Sequence, residues 1–318
     1  MWEHNNHGEL NLKKYSNWVF YISSFSFIMV FKVMIMQKKA VIHTIIAMIL
    51  WGTIGVFRRY ILISSSLLAF SRGTIGAVFL YVYLKFRKYE LLKITNRKQF
   101  GLLVLSGALM GLNWLCLFEA YNYTSVATAT LCYYMQPIMI VLVSPVLFKE
   151  KLTSKKLLCV AIALLGMVFV SGVLETQVGG FLGIILGLLA AVLYGIVVIM
   201  NKFITDVDSY QKTMIQLVSA ACIMIPYMII TSDTLVVTMD VVSILMLLIV
   251  CIVHTGIAYA LYFGAIPHMK TQTVALLSYL DPVVAILLSA IVLQEPLTIL
   301  GIIGAVCILG STIVSERE

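Results

Sequence analysis

Two stretches of this chain, 145 residues apart, share one pattern: FEAYNYTSVATATLCYYMQPIMIVLVSPVLFKEKLT at Phe118–Thr153 and FGAIPHMKTQTVALLSYLDPVVAILLSAIVLQEPLT at Phe263–Thr298. Eleven of the 36 aligned positions are identical, where composition alone gives about three. The identical pairs include Tyr134 and Tyr279, Pro137 and Pro282, and Glu150 and Glu295. The chain therefore contains an internal duplication.

The composition is that of a membrane protein. Of the 318 residues, 61% are hydrophobic and only 11% are charged, and the mean hydropathy is +1.03. Soluble domains carry roughly 25% charged residues, so a soluble enzyme or a nucleic-acid-binding protein is excluded. Each copy of the repeat holds five apolar runs of the length that a membrane helix needs. The predicted spans are 40–62, 66–84, 99–119, 124–147, 153–173, 180–200, 209–231, 241–263, 270–293 and 298–314.

Five spans are an odd number, so the second copy must cross the membrane in the opposite sense to the first. The loops confirm this inversion at sequence level, because Lys149–Lys156 carries four lysines and the equivalent Gln294–Gly301 carries none. Sixteen of the 22 Lys and Arg residues lie at positions 38 and 39 directly before span one, in or next to alternate loops, or after span ten. The positive-inside rule then places both ends of the ten-span body in the cytoplasm, and explains the net charge of +8.

The sequence predicts three regions. Residues 1–35 form an N-terminal extension that is either an extra helix or a dispensable, non-native segment before Met36. Residues 36–175 form the first five-helix repeat, and residues 176–318 form the second, inverted one. Inverted repeats are typical of secondary transporters, whose substrate site lies where the two halves meet.

Four motifs resemble the EamA type of the drug/metabolite transporter superfamily: Trp51-Gly-Thr, Leu68-Ala-Phe-Ser-Arg72, Tyr279-Leu-Asp-Pro282 and the segment Gln294-Glu-Pro-Leu-Thr-Ile-Leu-Gly-Ile-Ile-Gly-Ala. The resemblance covers about 36–318. It implies an all-α integral membrane fold in which ten transmembrane helices form two inverted five-helix repeats around a central cavity. It also implies alternating-access transport of small metabolites, chiefly export of amino acids or related compounds, without a cofactor. Arg58-Arg59 departs from this pattern, because a single Lys is more usual there.

Aromatic residues with a polar group recur at equivalent or nearby depths in the two halves, which suits the wall of a substrate cavity. These candidates are Trp51 and Tyr194, Trp114 and Tyr259, and Tyr134 and Tyr279. Asn113, beside Trp114, is a further cavity candidate, because a buried amide must find a partner. Helix packing is the alternative explanation for the aromatic residues, and an interhelical hydrogen bond is the alternative for Asn113.

Asp281 is the candidate for proton coupling, because a carboxyl group in mid-membrane must be protonated, paired or hydrated. A static brace to a neighbouring donor is the alternative. Pro137 and Pro282 predict helix kinks that free backbone carbonyls near the cavity. Arg72 is the candidate for receiving a carboxylate or phosphate, with snorkelling to the outer surface and helix bracing as alternatives.

Other classes of function lack the parts they need. The motifs of metalloproteases, serine hydrolases and P-loop ATPases do not occur, and the six cysteines show no metal-binding spacing. A passive channel and a non-transporting membrane partner remain as alternatives to a transporter. We expect a multi-pass protein of a bacterial cell membrane that contacts a small-molecule substrate and the lipid bilayer, binds no nucleic acid, and is a monomer or a homodimer.

Overall fold

The computed structural model describes residues 35–88, 97–124, 126–170, 173–175, 180–205, 207–231, 239–292 and 298–316. The predicted extension lies outside these residues except for Ile35. The described part is helical throughout and contains no strand. The helices are α1 (Ile35–Arg58), α2 (Ser65–Phe86), α3 (Arg97–Tyr123), α4 (Val126–Tyr133), α5 (Gln136–Phe148), α6 (Ser154–Val170), α7 (Phe181–Phe203), α8 (Ser209–Thr231), α9 (Val241–Cys251), α10 (Ala258–Ala265), α11 (Thr271–Leu277), α12 (Leu280–Val292) and α13 (Ile299–Glu316).

These helices follow the predicted spans in order, with α4–α5, α9–α10 and α11–α12 each serving as one broken span. Within the described residues, eight continuous or nearly continuous helices are long and apolar enough to cross a membrane. The last apolar helix is shorter, at Ile299–Ser315, and α6 has 17 residues. The prediction of an all-α membrane fold built from two similar halves is confirmed.

The helix is interrupted at equivalent places in the two copies. A turn at Tyr134–Met135 separates α4 from α5, and a turn at Ser278–Tyr279 separates α11 from α12. Pro137 lies in the first turn of α5, where a missing backbone N–H costs no helical hydrogen bond. The breaks therefore leave polar backbone close to the middle of each span.

A second kind of irregularity lies in the eighth span. Residues Ile252–Ile257 form a π-helical segment between α9 and α10. Such an insertion is rare inside an α-helix and frequently marks a functional site. Its residues His254, Thr255 and Gly256 are buried, so the irregular backbone faces the protein interior.

The two halves make related contacts at the centre of the molecule. A side chain added at Gly52 of α1 would lie 2.8 Å from the carbonyl oxygen of Asp281, and one at Gly195 of α7 would lie 3.7 Å from Gln136. Gln136 and Asp281 are equivalent positions, each preceding a proline of the repeat. The first helix of each half thus packs against the broken helix of the other half.

Candidate functional site

A cavity of about 290 Å³ lies where the two halves meet. Residues of both halves line it: Met48, Trp51, Ile54, Arg72, Leu117, Phe118, Tyr121, Thr130, Tyr133, Tyr134, Gln136, Tyr194, Tyr259, Ser278 and Asp281. Six of the residues singled out from the sequence are among them, namely Trp51, Arg72, Tyr134, Tyr194, Tyr259 and Asp281. The wall is therefore chiefly aromatic, with one guanidinium and one carboxyl group.

The carboxyl group is held by a residue of the other half. The hydroxyl of Tyr134 donates a hydrogen bond to Oδ2 of Asp281 over 2.8 Å. Tyr134 occupies the break between α4 and α5, and Asp281 lies in the first turn of α12. The two broken helices are therefore joined through Asp281, the one acidic residue among the described residues that line the cavity. At the equivalent position in the first half, Nε2 of the buried Gln136 has no hydrogen-bond partner among the described residues.

The aromatic residues form a nearly continuous wall. The Trp51 ring lies 4.8 Å from that of Tyr259 and 5.1 Å from that of Tyr262, between centroids. On the other side, Tyr133 lies 5.7 Å from Tyr134 and 5.9 Å from Tyr194. Two of these contacts are tilted and two are edge-on, and such arrangements are favourable for aromatic pairs at these separations. The wall offers both ring faces and hydroxyl groups to a solute.

Arg72 reaches the cavity from α2 and is tied to the π-helical segment. Its Nε donates to Oγ1 of Thr255 over 2.9 Å, and that hydroxyl in turn donates to the carbonyl of Val250 over 2.9 Å. The guanidinium carbon lies 5.2 Å from the centroid of Trp114, a cation–π distance. Arg72 therefore lines the cavity and also braces two helices, which was one of the alternative roles considered for it from the sequence.

Three other predicted residues lie outside the cavity wall. Asn113 is fully buried and donates to the carbonyl of Ala190 over 2.7 Å, which joins α3 to α7. Tyr279 is buried, and its hydroxyl donates to the carbonyl of Tyr134 over 3.2 Å. Trp114 stands behind Arg72, with its ring 6.3 Å from that of Tyr259.

Two polar residues beside the cavity, Thr53 and His254, were not predicted from the sequence. Nε1 of Trp51 donates to the carbonyl of His254 over 2.8 Å, and Oγ1 of Thr53 lies 2.5 Å from Nε2 of the same histidine. The sequence signals neither contact, because His254 lies in an apolar run whose periodicity does not reveal a π-helical insertion. Arg58, one of the two arginines that depart from the family pattern, donates to the carbonyls of Ile61 and Ile63 and so braces the loop between α1 and α2.

The described residues contain no group of three or more His, Cys, Asp or Glu side chains that could hold a metal ion. The six cysteines, all of which lie in the described ranges, are free thiols. What the cavity offers to a ligand is therefore aromatic surface, hydroxyl groups, a cation and a carboxyl group.

A helical membrane protein whose two similar halves enclose such a cavity has the architecture of a secondary transporter. The chain belongs to the EamA-like transporter family, whose model matches residues 38–172 and again residues 181–316. The resemblance deduced from the sequence motifs is thereby confirmed, and the protein is a membrane transporter of this family.

Relatives and a solved structure agree with this assignment. The uncharacterized transporter YxxF of Bacillus subtilis (strain 168) is 29% identical over 260 residues, which are 80% of this chain and 82% of that protein. A probable amino-acid metabolite efflux pump of Escherichia coli (strain K12) is 31% identical over 204 residues, 61% of this chain and 68% of that protein. A crystal structure with 20% identity superimposes with a TM-score of 0.78, covering 88% of this chain and 97% of the other. That structural match supports the fold alone.

Proposed function

We propose that this protein is a secondary active transporter that exports small amino-acid-like metabolites by alternating access, with the central cavity as its substrate site. The observation that carries the proposal is the cavity itself, which both halves build around Tyr134 and Asp281. A solute bound between inverted halves is exposed to one side or the other when the halves rock against each other. Two relatives named as probable amino-acid metabolite efflux pumps support the substrate class.

The chemistry of the wall fits an amino acid or a related compound. The guanidinium of Arg72 is suited to a carboxylate, because charge-assisted hydrogen bonds from Arg are strong and directional. The rings of Trp51, Tyr133 and Tyr259 are suited to an apolar or aromatic side chain. A volume of about 290 Å³ is close to the lower end of the usual range for small-molecule sites, which is about 300 Å³.

Asp281 is the proposed coupling residue. It is the one acidic residue among the described residues of the cavity wall. Its carboxyl group can either bind a proton or, when ionised, bind the ammonium group of a substrate. The hydrogen bond from Tyr134 is made across the two halves, so a change in the charge of Asp281 alters a contact that joins them. Proton binding would then be linked to the conformational change.

Transport in reconstituted vesicles tests these assignments. Purified protein is first screened against amino acids and their derivatives by thermal shift, and each ligand found is measured in counterflow and under an imposed pH gradient. We expect saturable counterflow for the wild type. Flux that neither saturates nor shows counterflow would indicate a passive channel and refute the proposal.

The coupling role is tested with Asp281→Asn, using Asp240→Asn as the matched control. Asp240 caps α9 by accepting a hydrogen bond from the amide of Ser243 and does not line the cavity. We expect Asp281→Asn to retain counterflow and to lose acceleration by the pH gradient, and Asp240→Asn to keep both. Unchanged acceleration in Asp281→Asn would leave this residue as a static brace to Tyr134.

The orientation is part of the proposal. The distribution of Lys and Arg supports cytoplasmic ends for the ten-span body. The six native cysteines are first replaced, and Lys85→Cys or Asp240→Cys is then introduced singly. Labelling of each cysteine by a membrane-impermeant maleimide shows on which side of the membrane that position lies. In whole cells we expect labelling at position 240 and none at position 85, and the reverse pattern would overturn the orientation.

A further inference from the structure

A second cavity lies at the end of the molecule where α1 begins. It has a volume of about 390 Å³ and is enclosed by the first turns of α1, the connection between α7 and α8, and the end of α10. We call it the Lys212 cavity. It shares no lining residue with the central cavity, so the transport site does not account for it.

The lining of the Lys212 cavity is rich in basic residues. Four basic residues from three separate segments contribute to it, namely Lys39, His43, Lys212 and His268. Its hydroxyl-bearing residues are Thr205, Ser209 and Tyr210. No Asp or Glu is among the described residues that line it. The ammonium groups and hydroxyls of this set are donors suited to an anionic ligand.

Lys212 is the buried member of this set. Its side chain is only 2% exposed, and its Nζ donates to the carbonyls of Ile204 over 2.6 Å and Phe263 over 3.4 Å. Both acceptors are neutral, and an ammonium group has three N–H donors. Asp208 interacts favourably with Lys212, and Oδ1 of its carboxylate accepts hydrogen bonds from the amides of Tyr210 and Gln211. Because burying a cation costs free energy, an anion in the cavity would add to the stabilisation that Asp208 gives to Lys212.

The surface of α1 beside the cavity points to the source of the anion. Lys39, Ile42, His43, Ile46 and Ile49 fall on one face of the helix. The three isoleucines are 53%, 40% and 45% exposed in the order of the chain, as expected for side chains that contact lipid. A phospholipid with its acyl chains along these isoleucines would place its phosphate at the level of Lys39 and His43.

We propose that the Lys212 cavity binds the phosphate group of an anionic membrane phospholipid. Basic pockets between membrane helices on the cytoplasmic side are suited to such head groups. The ligand would be held by the ammonium groups of Lys39 and Lys212 and by the neighbouring hydroxyls. This site is independent of the transported substrate, because its residues lie outside the central cavity.

Neighbouring lysines on α1 supply a matched pair of variants. Lys39→Gln removes a charge from the cavity wall. Lys38→Gln removes the same charge from the adjacent residue, whose exposed side chain does not line the cavity. The purified full-length protein is titrated with phosphatidylglycerol or phosphatidylcholine, and bound lipid is counted by native mass spectrometry. We expect selective binding of phosphatidylglycerol, weakened on the order of tenfold by Lys39→Gln and little changed by Lys38→Gln.

Lys212→Gln should weaken the binding of phosphatidylglycerol further. If this variant of a buried residue does not fold, the comparison of Lys39→Gln with Lys38→Gln still decides the test. A parallel titration with inorganic phosphate, followed by thermal shift, separates a lipid from a free anion. Stabilisation by phosphate with no selective lipid binding would overturn the assignment to a phospholipid. Equal losses in Lys38→Gln and Lys39→Gln would overturn the site itself, because they would show attraction by the general surface charge.

Discussion

The contact between α1 and α12 at Gly52 gives a prediction whose magnitude follows from the structure. A methyl group added at Gly52 would lie 2.6 Å from Cβ of Val284 and 2.8 Å from the carbonyl oxygen of Asp281. Carbon atoms in contact normally lie about 3.5–4.0 Å apart, so α1 must move by about 1 Å in Gly52→Ala. Overpacking of this kind costs about 1–3 kcal/mol, and replacing a helical glycine returns up to about 1 kcal/mol. We therefore expect a net loss of about 1–2 kcal/mol.

Two other glycines serve as controls for Gly52→Ala. At Gly55, on the same helix, an added methyl group meets no neighbouring atom of the described residues within 4 Å beyond its own helical turn. At Gly195, the equivalent position in the second half, the nearest such atom is at 3.7 Å. The assay is apparent Tm in one detergent at one scan rate, because such unfolding is often irreversible. We expect Gly52→Ala to lower Tm by about 2–5 °C, whereas Gly55→Ala and Gly195→Ala leave it unchanged or raised. Equal Tm values for the three variants would refute the packing argument.

Two further predictions concern α3 and the arginine of the cavity. Gly107→Ala places a methyl group against the backbone of Gln216, whereas Gly101→Ala meets no neighbouring atom of the described residues within 4 Å. We therefore expect a larger fall in Tm for Gly107→Ala, and equal shifts would contradict the close contact between α3 and α8. Thr255→Val removes the acceptor for Nε of Arg72, and we expect a raised KM in counterflow with a smaller change in maximal rate, because the guanidinium loses a fixed orientation. An unchanged KM would show that Thr255 does not orient Arg72.

The fold was largely predictable because its signals are long and repeated. Each apolar run is bounded by polar residues, and the duplication at Phe118–Thr153 and Phe263–Thr298 shows how the runs divide into two sets. The prolines 137 and 282 marked where two spans are irregular. The π-helical segment at Ile252–Ile257 was not predictable, because one extra residue in a helical turn leaves hydropathy unchanged.

The sequence predicted which types of residue line the candidate site better than it predicted which individual residues do so. Trp51 and Tyr194 were chosen for their depth and polar groups, and both line the cavity. Asn113 and Tyr279 met the same criteria but make hydrogen bonds to backbone carbonyls of neighbouring segments. In a helix that is apolar on every side, the pattern of the sequence does not reveal which face meets a cavity and which meets another helix.

The difference between the two copies of the repeat bears directly on the proposed mechanism. Equivalent positions hold Gln136 in the first copy and Asp281 in the second, and both line the central cavity. Only the carboxyl group can change its charge, and its hydrogen-bond donor, Tyr134, belongs to the opposite copy. Protonation would therefore act on a contact between the copies while leaving the environment of Gln136 neutral. An inverted scaffold supplies two related conformations, and on this proposal the single acid determines which of them is favoured at a given proton concentration.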